Sequence, residues 1–330
     1  MAVGSSLNPV STNPATVAIR GAVREFLSNC SAGDKVLVAV SGGADSLALA
    51  AALVPECQNM LIDLVGVTID HQLQNKSGEQ AAKVYSQLSQ LGITVIEIEK
   101  VEVDLTDGLE ASARRARYSA LDQVAAKHNA KLIFLGHTLN DQAEGVLLGL
   151  ARGSGARSLS GMAKLNGKYA RPLLEISRTQ TLAACVENDL SPWVDPHNSD
   201  SQFARVRVRT EALPILEASI GPGITEALAR SADLLRDDAD ALDALASDFA
   251  AGLNLADLEI SALAALSKAV RTRVIRQAIY AAGAPMGSIS ADHVASVEAL
   301  ITSWHGQGAC SLPGGVKVER FSGRLSLLSR

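Results

Sequence analysis

The chain has 330 residues, 47% apolar, 20% charged and 3% aromatic, with a formal net charge of −5. That length carries two domains with separate cores, and so apolar a composition excludes a chain that is disordered throughout. No apolar run reaches the roughly 20 residues that span a bilayer, and no basic segment leads into a hydrophobic stretch at the N-terminus. A cytoplasmic protein that does not enter a membrane is therefore expected. Cys30, Cys57, Cys185 and Cys310 are far apart and form no C-x-x-C pair. They suggest neither a disulfide framework nor a zinc or iron–sulfur site and read as small core residues. The scarcity of aromatics argues against broad stacking platforms for single-stranded nucleic acid.

In chain order, Met1 to about Thr12 is rich in Ser, Asn and Pro and reads as a loose segment. Thr16–Ser28 has helical spacing, and Lys35–Val40 is an apolar strand running straight into Ser41-Gly42-Gly43-Ala44-Asp45-Ser46 and a helix over Ser46–Val54. Adjacent glycines let backbone N–H groups approach a ligand, and the helix adds its positive dipole end. This turn is an anion site, with an ordinary Gly-rich turn as the alternative. It lacks the lysine of a G-x-x-x-x-G-K phosphate loop. Then come a strand over Leu61–Ile69, a helix over Gly78–Leu91, a strand over Ile93–Ile98 and a helix over Leu109–Lys127. A strand over Lys131–Leu135 and a helix over Asp141–Ala151 complete the run. Such alternation predicts an α/β fold, a doubly wound parallel sheet whose ligand site lies at the C-terminal ends of its strands.

Three segments bring polar residues to those ends. Thr68-Ile69-Asp70-His71 closes the second strand, in position to meet a nucleotide's base and sugar. The fourth strand runs into Gly136-His137-Thr138-Leu139-Asn140-Asp141-Gln142-Ala143-Glu144. A helix starting near Asn140 puts His137 on the entering loop, Asp141 in the first turn and Glu144 on the same face. Such a set suits a magnesium carboxylate, a phosphate donor and an amine-binding anion. Helix capping by Asn140 and Asp141 is the competing account. In the long helix, Arg114, Arg117 and Tyr118 lie on nearby faces and Arg115 points elsewhere; guanidinium groups suit a charged phosphoryl group, although an exposed basic face would give the same pattern.

Beyond Pro214 the composition turns Ala-, Leu- and Asp-rich. Thr225–Ala251 reads as an amphipathic helix whose apolar stripe serves core or dimer packing. Helices over Ser267–Ala281 and Ser290–Ser303 precede short strands over Ala309–Leu312, Val316–Phe321 and Arg324–Leu328. Between Glu211 and Glu259 eleven acidic residues face two arginines, whereas Lys268–Arg330 holds eight basic residues and three acidic ones. The second stretch offers a surface to a polyanion through Arg271, Arg273, Arg276, Lys317, Arg320 and Arg324.

The Ser41–Ser46 loop resembles the S-G-G-x-D-S loop of the ATP pyrophosphatase superfamily, and further motifs sharpen the likeness. With Ile69-Asp70-His71, Glu110–Tyr118, Gly136–Glu144, Leu150–Gly155, Arg171-Pro172-Leu173-Leu174, Arg178 and Trp193–Arg209, the chain is similar to tRNA(Ile)-lysidine synthetases. The likeness covers roughly Lys35–Leu216; Ser311–Arg320 resembles the end of the family's first C-terminal domain, and the match is to its short form. Asn140 and Gly145 stand where Asp and Thr are common, and Gln74 where Arg is usual.

The resemblance implies a PP-loop, adenine nucleotide α-hydrolase-like catalytic domain over residues 1–215. A smaller, mainly helical tRNA-docking domain ending in short strands follows over 216–330. It further implies ATP, Mg2+, free L-lysine and an isoleucine tRNA with a CAU anticodon as ligands. ATP would contact Ser41, Gly42, Gly43, Ala44, Asp45, Ser46, Ile69, His71, Arg114 and Tyr118. Arg117, His137 and Asp141 would be catalytic, Asp45 and Asp141 would hold the metal, and Glu144 with Asp141 would bind lysine. Arg152, Arg157, Arg205, Arg207 and Arg209 would contact tRNA, with some of the last three tying the linker to the catalytic domain instead. A thiolase of the same superfamily and a non-catalytic nucleotide-binding regulator are the competing functions.

Overall fold

The computed structural model describes residues 13–72, 77–101, 109–153, 155–195 and 200–329, with the side chains of 109–111 excepted. The expected loose N-terminal segment, Gln74, the side chain of Glu110, Ser154 and residues 196–199 lie outside that description. The chain divides into two compact units, one through Asp233 and one from Leu234.

In the first unit, α1 (Pro14–Leu27), β1 (Lys35–Ala39), α2 (Ala44–Asn59), β2 (Asp63–Asp70), α3 (Ser77–Gln90) and β3 (Val95–Lys100) come first. They are followed by α4 (Leu109–His128), β4 (Leu132–Leu135), α5 (Leu139–Ala151), α6 (Ala156–Leu159), β5 (Leu165–Asn166) and β6 (Tyr169–Ala170). A 3-10 turn at Pro172–Glu175 leads to α7 (Arg178–Glu187). The sheet order is β3-β2-β1-β4-β6-β5, parallel except for the β5–β6 hairpin.

β1 is central, so both its faces are covered and its residues read as an unbroken apolar run. Leu37 and Ala39 pack with Leu121, Val124, Ile133 and Leu135 beneath α4. Val36 and Val38 pack on the opposite face with Ile19, Leu47, Leu53 and Phe134. β2 and β4 flank β1, so the chain reverses its direction of build-up there, and the crevice between the ends of β1 and β4 is where such a sheet holds its ligand.

The strands and helices expected from the pattern form, with two instructive differences. α2 begins two residues earlier than expected and runs through Pro55 to Asn59, beyond the expected end at Val54. Proline removes one ladder bond, but the turn after it is fixed from outside: Cys57 is buried, and Glu56 takes Arg20 at 2.7 Å and Arg24 at 2.9 Å. The second difference follows α7. A helix starts as α8 (Ala204–Arg207), widens into a π turn at Val208–Ala212 and continues as α9 (Leu213–Ile220).

α10 (Ile224–Ala250) crosses the division between the units. The second unit continues with β7 (Asp257–Glu259), α11 (Ile260–Ala265), α12 (Lys268–Ala281), α13 (Ala291–Thr302), β8 (Cys310–Ser311), β9 (Lys317–Phe321) and β10 (Arg324–Leu328). Its antiparallel sheet, ordered β7-β10-β9-β8, turns Val318, Leu325 and Leu327 onto Val274, Ile275, Ala278, Val297 and Leu300 of the helices.

Most of the basic residues read as a phosphate grip are engaged inside this unit, because each lies beside an acid or a backbone carbonyl. Arg273 meets Asp243 at 2.6 Å, Arg324 meets Asp257 at 2.6 Å, Arg276 donates to Ile289 O, and Arg320 donates to Leu300 O. Arg271 is buried against Glu298 at 2.8 Å and also donates to Leu266 O. Lys317 remains on the exposed face of β9. No described helix is long and apolar enough to cross a membrane.

Removing one member of the Arg271–Glu298 pair strands a buried charge. Glu298→Ala is expected to cost about 3–5 kcal/mol in urea or thermal unfolding. The double variant Arg271→Met with Glu298→Leu is expected to lose far less, and equal losses would show that the pair is not the cause.

Candidate ATP and tRNA-modification site

The loop after β1 shapes the first half of the site. Gly42 sits at φ +87°, a region that favours glycine, and a Cβ there would lie 2.8 Å from Val84 Cγ2. Gly43 is the N-cap of α2, and among the described residues no side chain caps it, so the helix presents bare N–H groups to the cleft. Ser46 Oγ accepts from Ser41 N–H at 3.2 Å and donates to Gly43 O at 3.0 Å, which closes the loop on itself. Opposite, Gly136 follows directly on β4, and a Cβ on it would stand 3.0 Å from Ser46 N and 3.1 Å from Asp45 C and O. Only a residue without a side chain lets the end of β4 approach the first turn of α2 this closely.

The cleft so formed, about 270 Å³, is lined by Ser41, Gly43, Asp45, Ser46, Ile69, His71, Arg117, His137 and Trp193, among others. A second cleft along β2 and α3 shares Ser41, Ile69, His71, Trp193 and Asp195 with it. One ligand can thus extend from the phosphate loop to the end of β2. Trp193 N–H donates to Gly42 O at 2.9 Å, so the segment after α7 reaches back to close the loop.

Charge in the site falls into two groups. On one side are Arg114, Arg117, Arg171, His71 and His137. Arg117 has neither a hydrogen bond nor an ion pair among the described residues. Its guanidinium pKa is lowered, first by burial and then by Arg114 and Arg171. Arg114 stacks on the Tyr118 ring at 4.9 Å, and the buried Arg171 donates to the Tyr118 hydroxyl at 3.4 Å. Burial and the charge of Arg117 push His71 downward and His137 down to about 3, so both imidazoles are neutral at pH 7. Their Nδ1 atoms are buried and lack hydrogen-bond partners among the described residues. Neutral donors beside unneutralised guanidinium groups form an anion site.

On the other side are Asp45, Asp141 and Glu144, gathered around Arg178 at the first position of α7. Arg178 lies 3.6 Å from Asp45 Oδ2, 3.1 Å from Asp141 Oδ1 and 3.4 Å from Glu144 Oε1. Asp141 serves two structures at once. Its Oδ2 accepts from the N–H and the hydroxyl of Thr138, completing a capping box for α5, while Oδ1 faces Arg178. The expected capping by Asp141 is present, with Thr138 rather than Asn140 as the N-cap, and it leaves Oδ1 turned to Arg178. Burial opposes ionisation of Asp141, but Arg178 and Thr138 outweigh it and hold the carboxyl below its ordinary range. Asp45 moves the opposite way, raised chiefly by burial and also by Asp141.

The arginines after the Trp193 segment divide. Arg209 binds both oxygens of the fully buried Glu144 at 2.7 and 3.1 Å, and Arg205 approaches it at 3.7 Å. Arg207 turns away and donates to the carbonyls of Ser201 and Gln202. Arg152, at the end of α5, and Arg157, in α6, are exposed. Asn140 is no defect at its place: its Oδ1 accepts the Arg178 N–H at 2.9 Å and fixes the start of α7. Gly145 has open space where a side chain would stand. Arg178 and Arg171 were visible in the sequence only as motif letters, and Trp193 likewise; nothing in the pattern marked Thr181, which donates to Asp45 Oδ1.

No group of three or more His, Cys, Asp or Glu among the described residues is arranged to hold a metal. Asp45 and Asp141 nevertheless fit magnesium, which takes one or two carboxylates and completes its shell from substrate phosphates and water. They are hard oxygen donors converging on one cation, Arg178, and burial raises the need for counter-charge at Asp45.

A mostly parallel sheet of this order with a bare helix N-terminus at its switch point makes this an α/β protein of the phosphate-binding class. Residues 16–216 match the family described as PP-loop domain, and residues 258–326 match the TilS substrate binding domain. A tRNA(Ile)-lysidine synthase of Streptomyces coelicolor is 51% identical over 88% of this chain and 84% of its own length. That of Thermobifida fusca is 48% identical over 94% and 97%. The chain belongs to the tRNA(Ile)-lysidine synthase family. A U34-tRNA thiolase from Methanococcus maripaludis shares the fold, with a TM-score of 0.57 at 18% identity over 67% of this chain and 79% of its own.

Gly136→Ala is expected to weaken ATP binding about tenfold without unfolding the protein, since overpacking of this kind costs about 1–3 kcal/mol; calorimetric titration with ATP checks it. His137 gains a proton more readily unfolded, at about 6.5, than folded, at about 3. Its contribution to stability is thus lost as pH falls through that window, and its ring signals in NMR should show no titration between about pH 5 and 8.

Proposed function

We infer that the protein is an ATP-dependent ligase that joins lysine to the 2-position of the wobble cytidine in the isoleucine tRNA with a CAU anticodon. ATP adenylates the cytosine O2, forming an O–P bond as pyrophosphate leaves. The lysine ε-amine then attacks C2, the C–O bond to the adenylate breaks, AMP departs and the amine gives up a proton, leaving lysidine. The observation that carries this reading is the opposition of a bare helix N-terminus at Gly43–Asp45 to unneutralised Arg117 and neutral His137, in a chain of this family.

Each residue's part follows from its chemistry. The loop N–H groups at 41–46 receive the pyrophosphate, with the Ser41 and Ser46 hydroxyls beside it. Arg117 balances charge on the α-phosphate, His137 donates to it as a neutral imidazole, and Arg114 and Tyr118, paired with each other one turn apart, contact the ATP beside them. Ile69 and His71, at the end of β2, meet the adenosine. Asp45 and Asp141 would hold magnesium, which when bound draws charge from the departing pyrophosphate. Asp141 Oδ1 is the acceptor for the amine's proton, and Glu144 with Asp141 supplies the negative field that attracts free L-lysine. Arg178, Arg205 and Arg209 stand in that field, so lysine's ammonium competes with fixed guanidinium groups there.

Residues 1–215 form the catalytic portion and 216–330 the tRNA-docking portion, a division consistent with the substrate-binding family over 258–326. Arg152, Arg157 and Arg207, all exposed, are the residues best placed to touch RNA phosphates. A cytoplasmic location, where ATP and tRNA meet, goes with this reading. A thiolase reading is disfavoured by the thiols. Cys57 is pushed up to about 12 and Cys185 to about 11 by burial, and both are core residues.

Labelled lysine should enter an unmodified CAU isoleucine-tRNA transcript only with ATP present. Asp141→Asn should lower the rate at least about 100-fold, in the range for a lost acid–base group. ATP cleavage to AMP without lysine incorporation would defeat the lysidine assignment while leaving the ATP chemistry intact.

A further inference from the structure

α7 touches the first turn of α2 at three places on one of its faces. Arg178 Nε lies 3.6 Å from Asp45 Oδ2, the Thr181 hydroxyl donates to Asp45 Oδ1, and Cys185 Sγ lies 3.3 Å from Ala44 O. Their spacing of three and four residues is that of one helix face. Thr181 is fully buried, and its Oγ1 is also 2.9 Å from Arg178 O, the carbonyl one turn back. A threonine inside a helix commonly bonds that carbonyl alone. Here the single hydroxyl proton has a second acceptor that carries charge, and a charge-assisted bond is the stronger of the two.

We propose that Thr181 is a positioning residue that orients Asp45 for the divalent cation accompanying ATP. Asp45 sits on a helix N-terminus at the rim of the phosphate cleft, where its carboxylate has two attractions: the cleft and Arg178. Thr181 holds Oδ1, and with it the plane of the carboxylate, so that Oδ2 stands 3.6 Å from Arg178 Nε rather than turning fully onto the guanidinium. Without the hydroxyl, Oδ1 loses its donor from α7, and rotation toward Arg178 restores one. The cation then meets a carboxylate already committed to a guanidinium. The inference rests on Asp45 being a metal ligand, and the test separates the two ideas.

Thr181→Val keeps the volume and removes the hydroxyl, while Thr181→Ser keeps the hydroxyl. Mn2+ affinity in the presence of ATP, read by electron paramagnetic resonance, should fall about tenfold in the valine variant, as for one lost hydrogen bond to a charged group. It should stay within about twofold of the parent in the serine variant. ATP affinity in the presence of a chelator should not change in either, which a general loosening of α7 would not allow. Unchanged Mn2+ affinity in Thr181→Val, or an equal loss in both variants, overturns the proposal. Thr181→Ala replaces the valine variant if that does not fold. Asp45→Asn tests the underlying reading: Mn2+ affinity equal to the parent's would show that Asp45 is no ligand, whatever Thr181 does.

Discussion

Because residue 136 carries no side chain, the end of β4 lies against the first turn of α2, and this approach sets the geometry of the whole site. It brings a helix N-terminus with open N–H groups beside the loop that carries His137 and the helix that carries Asp141. The sheet makes the approach possible by placing β1 and β4 side by side although they are far apart in sequence. A helix dipole contributes only within its first turn, so a shift of an ångström or two at this point would remove its benefit to a bound phosphate.

The two halves of the site differ in how their charge is balanced. The guanidinium and imidazole group around Arg117 makes no ion pair among the described residues, with Asp141 acting on it only from a distance, and a phosphoryl group would supply one. The carboxylates around Arg178 are already countered, by Arg178 and by Arg205 and Arg209 from the helix after the Trp193 segment. Burying a carboxylate as completely as Glu144 is costly unless such partners accompany it. The same contacts anchor that helix to α5, and the π turn at Val208–Ala212 falls inside the anchored stretch, a placement common for π turns near functional sites.

Local periodicity and turn chemistry made the α/β unit legible: the strand at Lys35, the Gly-rich loop and the helix over 109–128 stand close to where their spacing put them. The loop, His137 and Asp141 were legible for the same reason, since they follow strands whose ends must converge. What stayed hidden depends on contacts distant in sequence. Pro55 reads locally as a helix end, and only the ion pairs of Glu56 with α1 explain why the helix goes on. The alternating arginines at 205, 207 and 209 look alike in sequence, yet two face a buried carboxylate and one faces backbone carbonyls. The basic residues of the second unit gave a correct charge count, but that count cannot tell a cation facing water from Arg271, which lies against Glu298. Thr181 is an unremarkable helical residue until α7 is laid against α2.

The bond from Trp193 to Gly42 has a bearing on how the protein is made. The phosphate loop lies near the N-terminus, yet its backbone is braced by a residue from beyond α7, so its final form depends on a contact of high sequence separation. On the ribosome, the loop emerges early but lacks its brace until the chain has passed Trp193. The ability to hold a nucleotide therefore arrives late in synthesis, together with the carboxylate clamp of α7 and the arginines that follow.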